Sequence, residues 1–335
     1  MMNKQILIIE ITSYCNSRCE DCLRAGLNDS DYMLSFKDIK TAIKEIKKFS
    51  NNYTDFELKI SGGEPTIWLD KTEKKDITDI LLECENNNLN YALVTNGKVF
   101  SNKEQCKDFF DKIKYKGIHH LKLFITIDKY HGNYTSDDSN IILDNVLELN
   151  ELESLECYVQ STVTKRNQDN LSLDFIEKYT KKGIKFMLNP LLPWGRGKNL
   201  IDVVPYVNLN NNDKSTLGDY ENYYYVLGKV NNIWDTYDEF LNMNNLETLK
   251  RLNCCGKTIT LMGNKYYYSM PCSGKEEFCF ATIGNLDYKK YLVFKSNNKT
   301  IKKMANNKIA NEDLIDKCPI GYGICGLCME NDYEL

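Results

Sequence analysis

The stretch Ile6-Leu7-Ile8-Ile9-Glu10-Ile11-Thr12-Ser13-Tyr14-Cys15-Asn16-Ser17-Arg18-Cys19-Glu20-Asp21-Cys22 decides how the rest of the chain is read. Its first part, Ile6–Ile11, has the apolar run of a buried strand. Its second part places three thiols within eight residues, in the loop that leaves this strand. Folds of the α/β class set their chemistry at the carboxyl ends of strands. Thiolates this close together hold soft metals, yet three is an unusual set. Structural zinc takes four N/S ligands, and a fully ligated cubane iron–sulfur cluster takes four Cys. Three ligands on a four-iron cluster leave one iron open to a substrate or cofactor. A zinc knuckle completed by a distant ligand, or reduced structural cysteines, fit the same three residues.

Working outward, apolar strands alternate with amphipathic helices as far as about residue 195. Ser35-Phe36-Lys37-Asp38 reads as a capped helix start, with Ile39, Ala42, Ile43, Ile46 and Phe49 on one face. Strand Phe56–Ser61 follows, then helix Ile77–Cys84 and strand Tyr91–Thr95. Helix Lys103–Ile113 leads to strand Leu121–Ile127, and helix Ile141–Leu149 to strand Tyr158–Val163. Helix Leu173–Lys182, stopped by Gly183, leads to strand Phe186–Leu191. Such β/α units in series predict a parallel sheet with right-handed crossovers, in a barrel or an open arrangement. Residues 196–251 are rich in Asn and Tyr and read as a linker with helices. A Cys-rich region, residues 252–335, completes a three-part division whose first part is residues 1–195.

The net charge of −4 and the scattered Lys and Arg give no electrostatic footprint for nucleic acid. The start of the chain lacks the apolar run of a signal peptide, and no stretch approaches the roughly 20 apolar residues of a membrane span. A cytoplasmic protein is expected. Thirteen cysteines without a secretion signal then point to metal rather than disulfides. Cys84, Cys106 and Cys157 stand singly within helix or strand patterns and read as core residues. With three histidines in the chain, imidazole chemistry has little material.

Several strand ends carry further candidates. Ser61-Gly62-Gly63-Glu64-Pro65 offers a backbone that a ligand can approach, a carboxylate able to receive an ammonium group, and a proline that fixes the exit. The third strand ends in Thr95-Asn96-Gly97 and the fourth in Thr126-Ile127-Asp128-Lys129-Tyr130-His131. His119 and His120 lie at the opposite end of that fourth strand and read as structural. The sixth strand runs through Asn189 into Trp194-Gly195-Arg196-Gly197, where the guanidinium is placed to pair with a carboxylate. Near the other terminus, Thr258–Met262, a Gly263-Asn264 turn and Tyr266–Met270 read as a hairpin. It lies between the pair Cys254-Cys255 and Cys272. With Cys325-Gly-Leu-Cys328, these residues can form a four-thiolate site for iron–sulfur or zinc. One of Cys254 and Cys255, together with Cys279 and Cys318, is left as a spare thiol.

Taken in order, the loop Cys15-x3-Cys19-x2-Cys22 and the run Gly62-Gly63-Glu64-Pro65 on the next strand resemble the signature of the radical S-adenosylmethionine (radical SAM) superfamily. The resemblance implies an incomplete (β/α)6 barrel, open on one side. It implies that Cys15, Cys19 and Cys22 ligate a [4Fe–4S] cluster whose open iron chelates SAM. One electron would then release a 5′-deoxyadenosyl radical that abstracts hydrogen from a substrate, with a flavodoxin- or ferredoxin-type reductant as partner. It places Gly62, Gly63, Glu64, Pro65, Thr95, Asn96, Thr126, Asp128, Asn189 and Arg196 around SAM. The residue before the third Cys is commonly aromatic or His in this family and contacts adenine; here it is Asp21.

The C-terminal cysteines resemble the twitch form of the SPASM domain, implying one auxiliary [4Fe–4S] cluster. Its ligands would be Cys254 or Cys255 with Cys272, Cys325 and Cys328. In outline the chain is similar to peptide-modifying members, epimerases among them. That likeness implies a thiol such as Cys318 or Cys279 as hydrogen donor, with Asp128 and His131 near substrate. Ser273 stands where the bacterial epimerase branch has a second Cys. The substrate classes open at this point are a ribosomally made peptide and a small polar molecule such as an aminocyclitol or sugar. A non-catalytic iron–sulfur or zinc scaffold would have no need of a SAM amino-group site. The chain starts at its first barrel strand, which leaves no room for a leader-binding domain and counts against a peptide.

Overall fold

The computed structural model describes residues 4–22, 31–128, 135–150, 152–163, 173–190, 196, 258–268 and 276–298. Strand β1 (Lys4–Glu10) pairs in parallel with β2 (Asp55–Ser61), and β2 with β5 (Tyr91–Thr95). The parallel series continues through β6 (His120–Thr126), β7 (Ser154–Val163) and β8 (Lys185–Pro190). Between β2 and β5 lies a short antiparallel ribbon, β3 (Leu69–Asp70) with β4 (Lys75–Asp76). Among the described residues β8 does not pair back to β1, so the sheet is open and its strands follow one another in chain order. No helix among the described residues is long and apolar enough to cross a membrane.

Alternation along the strands sets the layers. Leu7 and Ile9 of β1, Leu58 and Ile60 of β2, Leu93 of β5 and Leu123 and Ile125 of β6 are all fully buried in the core. Helices cover this face: α1 (Phe36–Ser50), α2 (Ile77–Asn86), α3 (Lys98–Ser101), α4 (Lys103–Tyr115), α5 (Ser136–Leu149) and α6 (Leu173–Thr180). Helix α1 starts where its sequence predicts. The Ser35 side chain accepts from the Asp38 N–H, and Ile39, Ala42, Ile43, Ile46 and Phe49 are buried. Cys84, Cys106 and Cys157 lie in the core as expected.

The other face of the sheet is charged and aromatic. Glu57 Oε2 accepts from Lys122 Nζ at 2.7 Å, and Lys185 Nζ lies 3.0 Å from Glu156 Oε2. Lys59 Nζ stands 4.0 Å above the Phe124 ring, which stacks on Tyr158 at 4.5 Å. Ala92 sits in register between Lys59 and Lys122, and its small side chain leaves space for these long ones.

The C-terminal hairpin forms with its turn where expected, as β9 (Thr258–Met262) and β10 (Lys265–Tyr267), and a third strand, β11 (Cys279–Thr282), adds to it. Sequence reading did not reveal its attachment. Strand β9 pairs in parallel with β1, Ile6 opposite Thr258 to Glu10 opposite Met262, and so extends the barrel sheet past its first strand. Helix α7 (Tyr288–Asn297) packs Tyr288 and Tyr291 edge-on against Phe49 of α1. Glu45 of α1 accepts from the Gly284 and Leu286 N–H groups and from the Tyr266 hydroxyl.

Candidate functional site

The ladder between β1 and β2 does not stop where the strands end. The Ile11 N–H donates to Ser61 O at 3.0 Å, the Gly63 N–H to Thr12 O at 2.7 Å and the Glu64 N–H to Tyr14 O at 2.8 Å. The start of the cysteine loop is thereby zipped to the Gly-Gly stretch. This contact requires glycine. A Cβ on Gly63 would lie 2.2 Å from Tyr14 O, and one on Gly62 2.4 Å from Thr12 O, with Gly62 at φ +139°. Behind the loop the chain returns across it: the Ser13 N–H donates to Tyr32 O and the Leu34 N–H to Ile11 O.

Glu64 is fully buried, and its carboxylate gathers four donors from its own chain. Oε1 accepts from the Thr66 N–H, the Thr66 hydroxyl and the Thr95 hydroxyl; Oε2 accepts from the Asn96 N–H at 2.7 Å. Burial pushes this carboxyl up from its ordinary range, against the pull of those bonds. In this arrangement Glu64 ties the end of β2 to the end of β5, and Pro65 opens a single 3-10 turn behind it. The Thr95-Asn96 end of β5 is drawn to the loop in turn. Asn96 Nδ2 lies 2.8 Å from Asn16 Oδ1, 3.2 Å from Ser17 Oγ and 3.8 Å from Cys15 Sγ. Lys98 Nζ donates to Asn16 O at 2.8 Å.

At the other end of the loop, Asp21 Oδ2 accepts from the Thr162 hydroxyl at 3.0 Å, while the Thr162 N–H donates to Asp128 Oδ2 at 3.0 Å. Asp21 and Asp128 are both buried. The Arg196 N–H donates to Cys22 O at 3.1 Å, and Arg196 Nε is buried without a hydrogen-bond partner among the described residues. Thr126 is buried at the end of β6, and Asn189 stands beside Thr162 in the β7–β8 register. The structure therefore brings Cys15, Cys19, Cys22, Gly62, Gly63, Glu64, Pro65, Thr95, Asn96, Asp128 and Arg196 to one end of the sheet. Cys279 is half-buried on β11, and its thiol donates to Ala281 O. Cys254, Cys255, Cys272, Cys318, Cys325, Cys328 and His131 lie outside the described residues. Asp21, Thr162 and Lys98 were not picked out as a site by sequence reading; the one signal was an acid where the motif usually carries an aromatic group. His119 faces Glu153 at the opposite end of the sheet.

Cys15 is exposed, Cys22 half-buried and Cys19 buried. The Cys19 thiol is pushed up to about 12 by burial first, then by Asp21, its two neighbouring thiols and Asp128. A metal ligated by this thiol would therefore have to displace a tightly held proton. Among the described residues no three His, Cys, Asp or Glu side chains converge on one metal-ion position. A single zinc ion needs its sulfurs about 3.8 Å apart, given Zn–S bonds of about 2.3 Å in a tetrahedron. A cubane takes each thiolate on a different iron and spreads them wider. The three thiols on one short loop, the glycine cradle and the buried, unpartnered Arg196 Nε fit a cluster with an anionic ligand beside it.

Comparison with known proteins agrees with this geometry. Residues 7–115 match the family model of a 4Fe-4S single cluster domain. The chain is 25% identical over 199 residues to a probable GTP 3′,8-cyclase of Saccharolobus solfataricus, covering 57% of this chain and 58% of that protein. A probable GTP 3′,8-cyclase of Saccharolobus islandicus matches at 26% over 202 residues, with the same coverage. The chain thus spans somewhat over half the length of the curated relatives it matches. In fold it is similar to native anSMEcpe with bound AdoMet, at a TM-score of 0.54 and 16% identity, covering 96% of this chain and 88% of that one. The same protein with bound AdoMet and Kp18Cys peptide gives a TM-score of 0.53 at 16% identity and the same coverage. With the cluster loop, the glycine stretch and the open parallel sheet in their expected places, residues 7–115 carry a 4Fe-4S single cluster domain, and the chain is similar to radical SAM enzymes in its motifs and fold.

Proposed function

We propose that this protein is a radical SAM enzyme that abstracts hydrogen from a ribosomally made peptide, leading to epimerisation, crosslinking or oxidation. The observation that carries the chemistry is the ladder from Ile11 to Glu64, which holds the cysteine loop against Gly62-Gly63. Cys15, Cys19 and Cys22 would hold the cluster. When bound, it supplies the electron that cleaves SAM to a 5′-deoxyadenosyl radical. The protein's part is positional. Gly62 and Gly63 offer backbone to the SAM methionine group, Glu64 fixes that backbone by tying β2 to β5, and Arg196 offers a guanidinium to its carboxylate. Thr95, Asn96, Thr126, Asp128 and Asn189 line the same end of the sheet.

The peptide class is supported by the fold shared with a protein captured with AdoMet and peptide. A Cys318 thiol would return a hydrogen atom to a peptide radical, near Asp128 and His131; Cys279, expected in the same role, stands on the edge strand β11, six strands from β6, and is not placed for it. The reading further assigns residues 1–195 to the barrel, 196–251 to a linker and 252–335 to a twitch-like region. Cys254 or Cys255, Cys272, Cys325 and Cys328 would there bind one auxiliary cluster, and a flavodoxin- or ferredoxin-type protein would supply electrons. A second reading, a small polar substrate, is favoured by the curated relatives, which are named for a reaction of GTP.

Anaerobic reconstitution separates these readings. Two four-iron clusters give about eight iron per chain, and one gives about four. About eight iron, with SAM cleavage stimulated by a candidate peptide, supports the peptide reading. About four iron and no response to any peptide refutes the auxiliary cluster and favours a small molecule.

A further inference from the structure

We infer that Thr162 is a positioning residue for the Cys19–Cys22 end of the cluster loop, acting through Asp21; this rests on the cluster assignment above. The loop is held at two ends by different strands. Asn96, just past β5, and Lys98, at the start of α3, hold its first-ligand end through Asn16 and Ser17. The third-ligand end is reached from β7, where the Thr162 hydroxyl donates to Asp21 Oδ2 across 141 residues of chain. A hydroxyl has a single proton to donate, and this one is committed to the carboxylate. The Thr162 backbone N–H is committed separately, to Asp128, which is fully buried at the end of β6. One residue thus joins the loop to β7 and β7 to β6.

Asp21 is adjacent to Cys22 and two residues from Cys19. A buried acid at this position gains from the hydrogen bond it accepts at Oδ2, and a charge-assisted bond is stronger and more directional than an aromatic contact. The inferred role is to fix where Cys19 and Cys22 stand relative to Cys15.

Thr162→Val removes the hydroxyl, preserves the β-branched shape suited to a strand, and leaves the backbone bond to Asp128 in place. The reconstituted full chain is compared with wild type by the rate at which a chelator removes iron, and by the EPR spectrum of the dithionite-reduced cluster with and without SAM. Loss of one hydrogen bond to a charged group predicts iron release about tenfold faster or more. It also predicts a broadened, heterogeneous spectrum. Thr162→Ser, which restores the hydroxyl, should recover both properties. Asp21→Ala tests the same bond from its other partner if the valine variant fails to fold, and should also release iron faster. A Thr162→Val protein with wild-type iron retention and spectrum overturns the inference, as does a serine variant that behaves like valine. Failure of wild type to take up iron overturns the cluster assignment instead.

Discussion

Gly63→Ala tests the link between the glycine stretch and the cluster loop at its narrowest point. The new Cβ would stand 2.2 Å from Tyr14 O and 2.6 Å from Ser13 O, both backbone atoms. Ordinary carbon–oxygen contacts begin near about 3.3 Å, so the loop must withdraw by roughly 1 Å. The Gly63-to-Thr12 and Glu64-to-Tyr14 bonds, now 2.7 and 2.8 Å, would then pass beyond hydrogen-bonding distance. Two bonds at about 1 kcal/mol each give a loss of about 2 kcal/mol, which lowers Tm by roughly 4–8 °C for a domain of this size. The effect on function is larger. Tyr14 is joined to Cys15, so the proposed first ligand moves with it, and a 1 Å misplacement can reduce rate by about a hundredfold. The assay is iron per chain after anaerobic reconstitution, with far-ultraviolet circular dichroism to confirm the fold. Gly263→Ala is the control. That residue has φ +58° and nothing within 4 Å of where a methyl would stand, so it incurs backbone strain of about 1 kcal/mol with no displacement of the loop. A Gly63→Ala protein that binds and retains iron as wild type does would refute the reasoning.

Glu64→Gln preserves shape but replaces an acceptor with a donor. Whichever way the amide turns, a buried N–H of Thr66 or Asn96 faces another donor, at a cost of about 1–3 kcal/mol. Thermal unfolding of the apoprotein should show a Tm roughly 3–10 °C lower; an unchanged Tm would mean that Glu64 does not brace β2 against β5. Stability should also fall on the alkaline side. The buried Cys106 and Cys157 thiols are pushed up to about 12 by burial, and Cys84 is raised likewise, so the folded state holds these protons more tightly than the unfolded one. Their contribution is complete below the unfolded thiol value of about 8.5 and is lost progressively as pH rises from there toward about 12. Thermal melts of reduced protein should therefore show Tm level to about pH 8.5 and several degrees lower by pH 10, whereas a Tm that rises with pH would contradict the assignment.

Much of the barrel was legible because buried strands read as apolar runs and its helices carry caps. Ser35 at α1 and Gly183 after α6 (φ +91°) are where local chemistry decides the boundary. The start of α5 was missed: its first turn, Ser136–Asn140, is polar and shows no apolar period. The Thr135–Asp138 capping box was the signal for it. The parallel pairing of β9 with β1 was not legible, because nothing local in Thr258–Met262 states a partner some 250 residues away.

At the site, the ligand triplet and glycine stretch stand out by spacing alone. The use made of Glu64 does not: a carboxylate beside two glycines reads as a receiver for a ligand, and only the fold shows four donors of the chain converging on it. The Asp21–Thr162 bond escaped for the same reason, since β7 supplies the hydroxyl only after four crossovers have brought it across the sheet.

Cys15, Cys19 and Cys22 are assigned above to the cluster that drives SAM cleavage. Release of 5′-deoxyadenosine from SAM and dithionite, by anaerobically reconstituted wild type and by Cys15→Ala, tests that assignment most directly. The expected result is 5′-deoxyadenosine from wild type and none from Cys15→Ala. Formation by Cys15→Ala at the wild-type rate, or none by a wild-type protein loaded with iron, would contradict it.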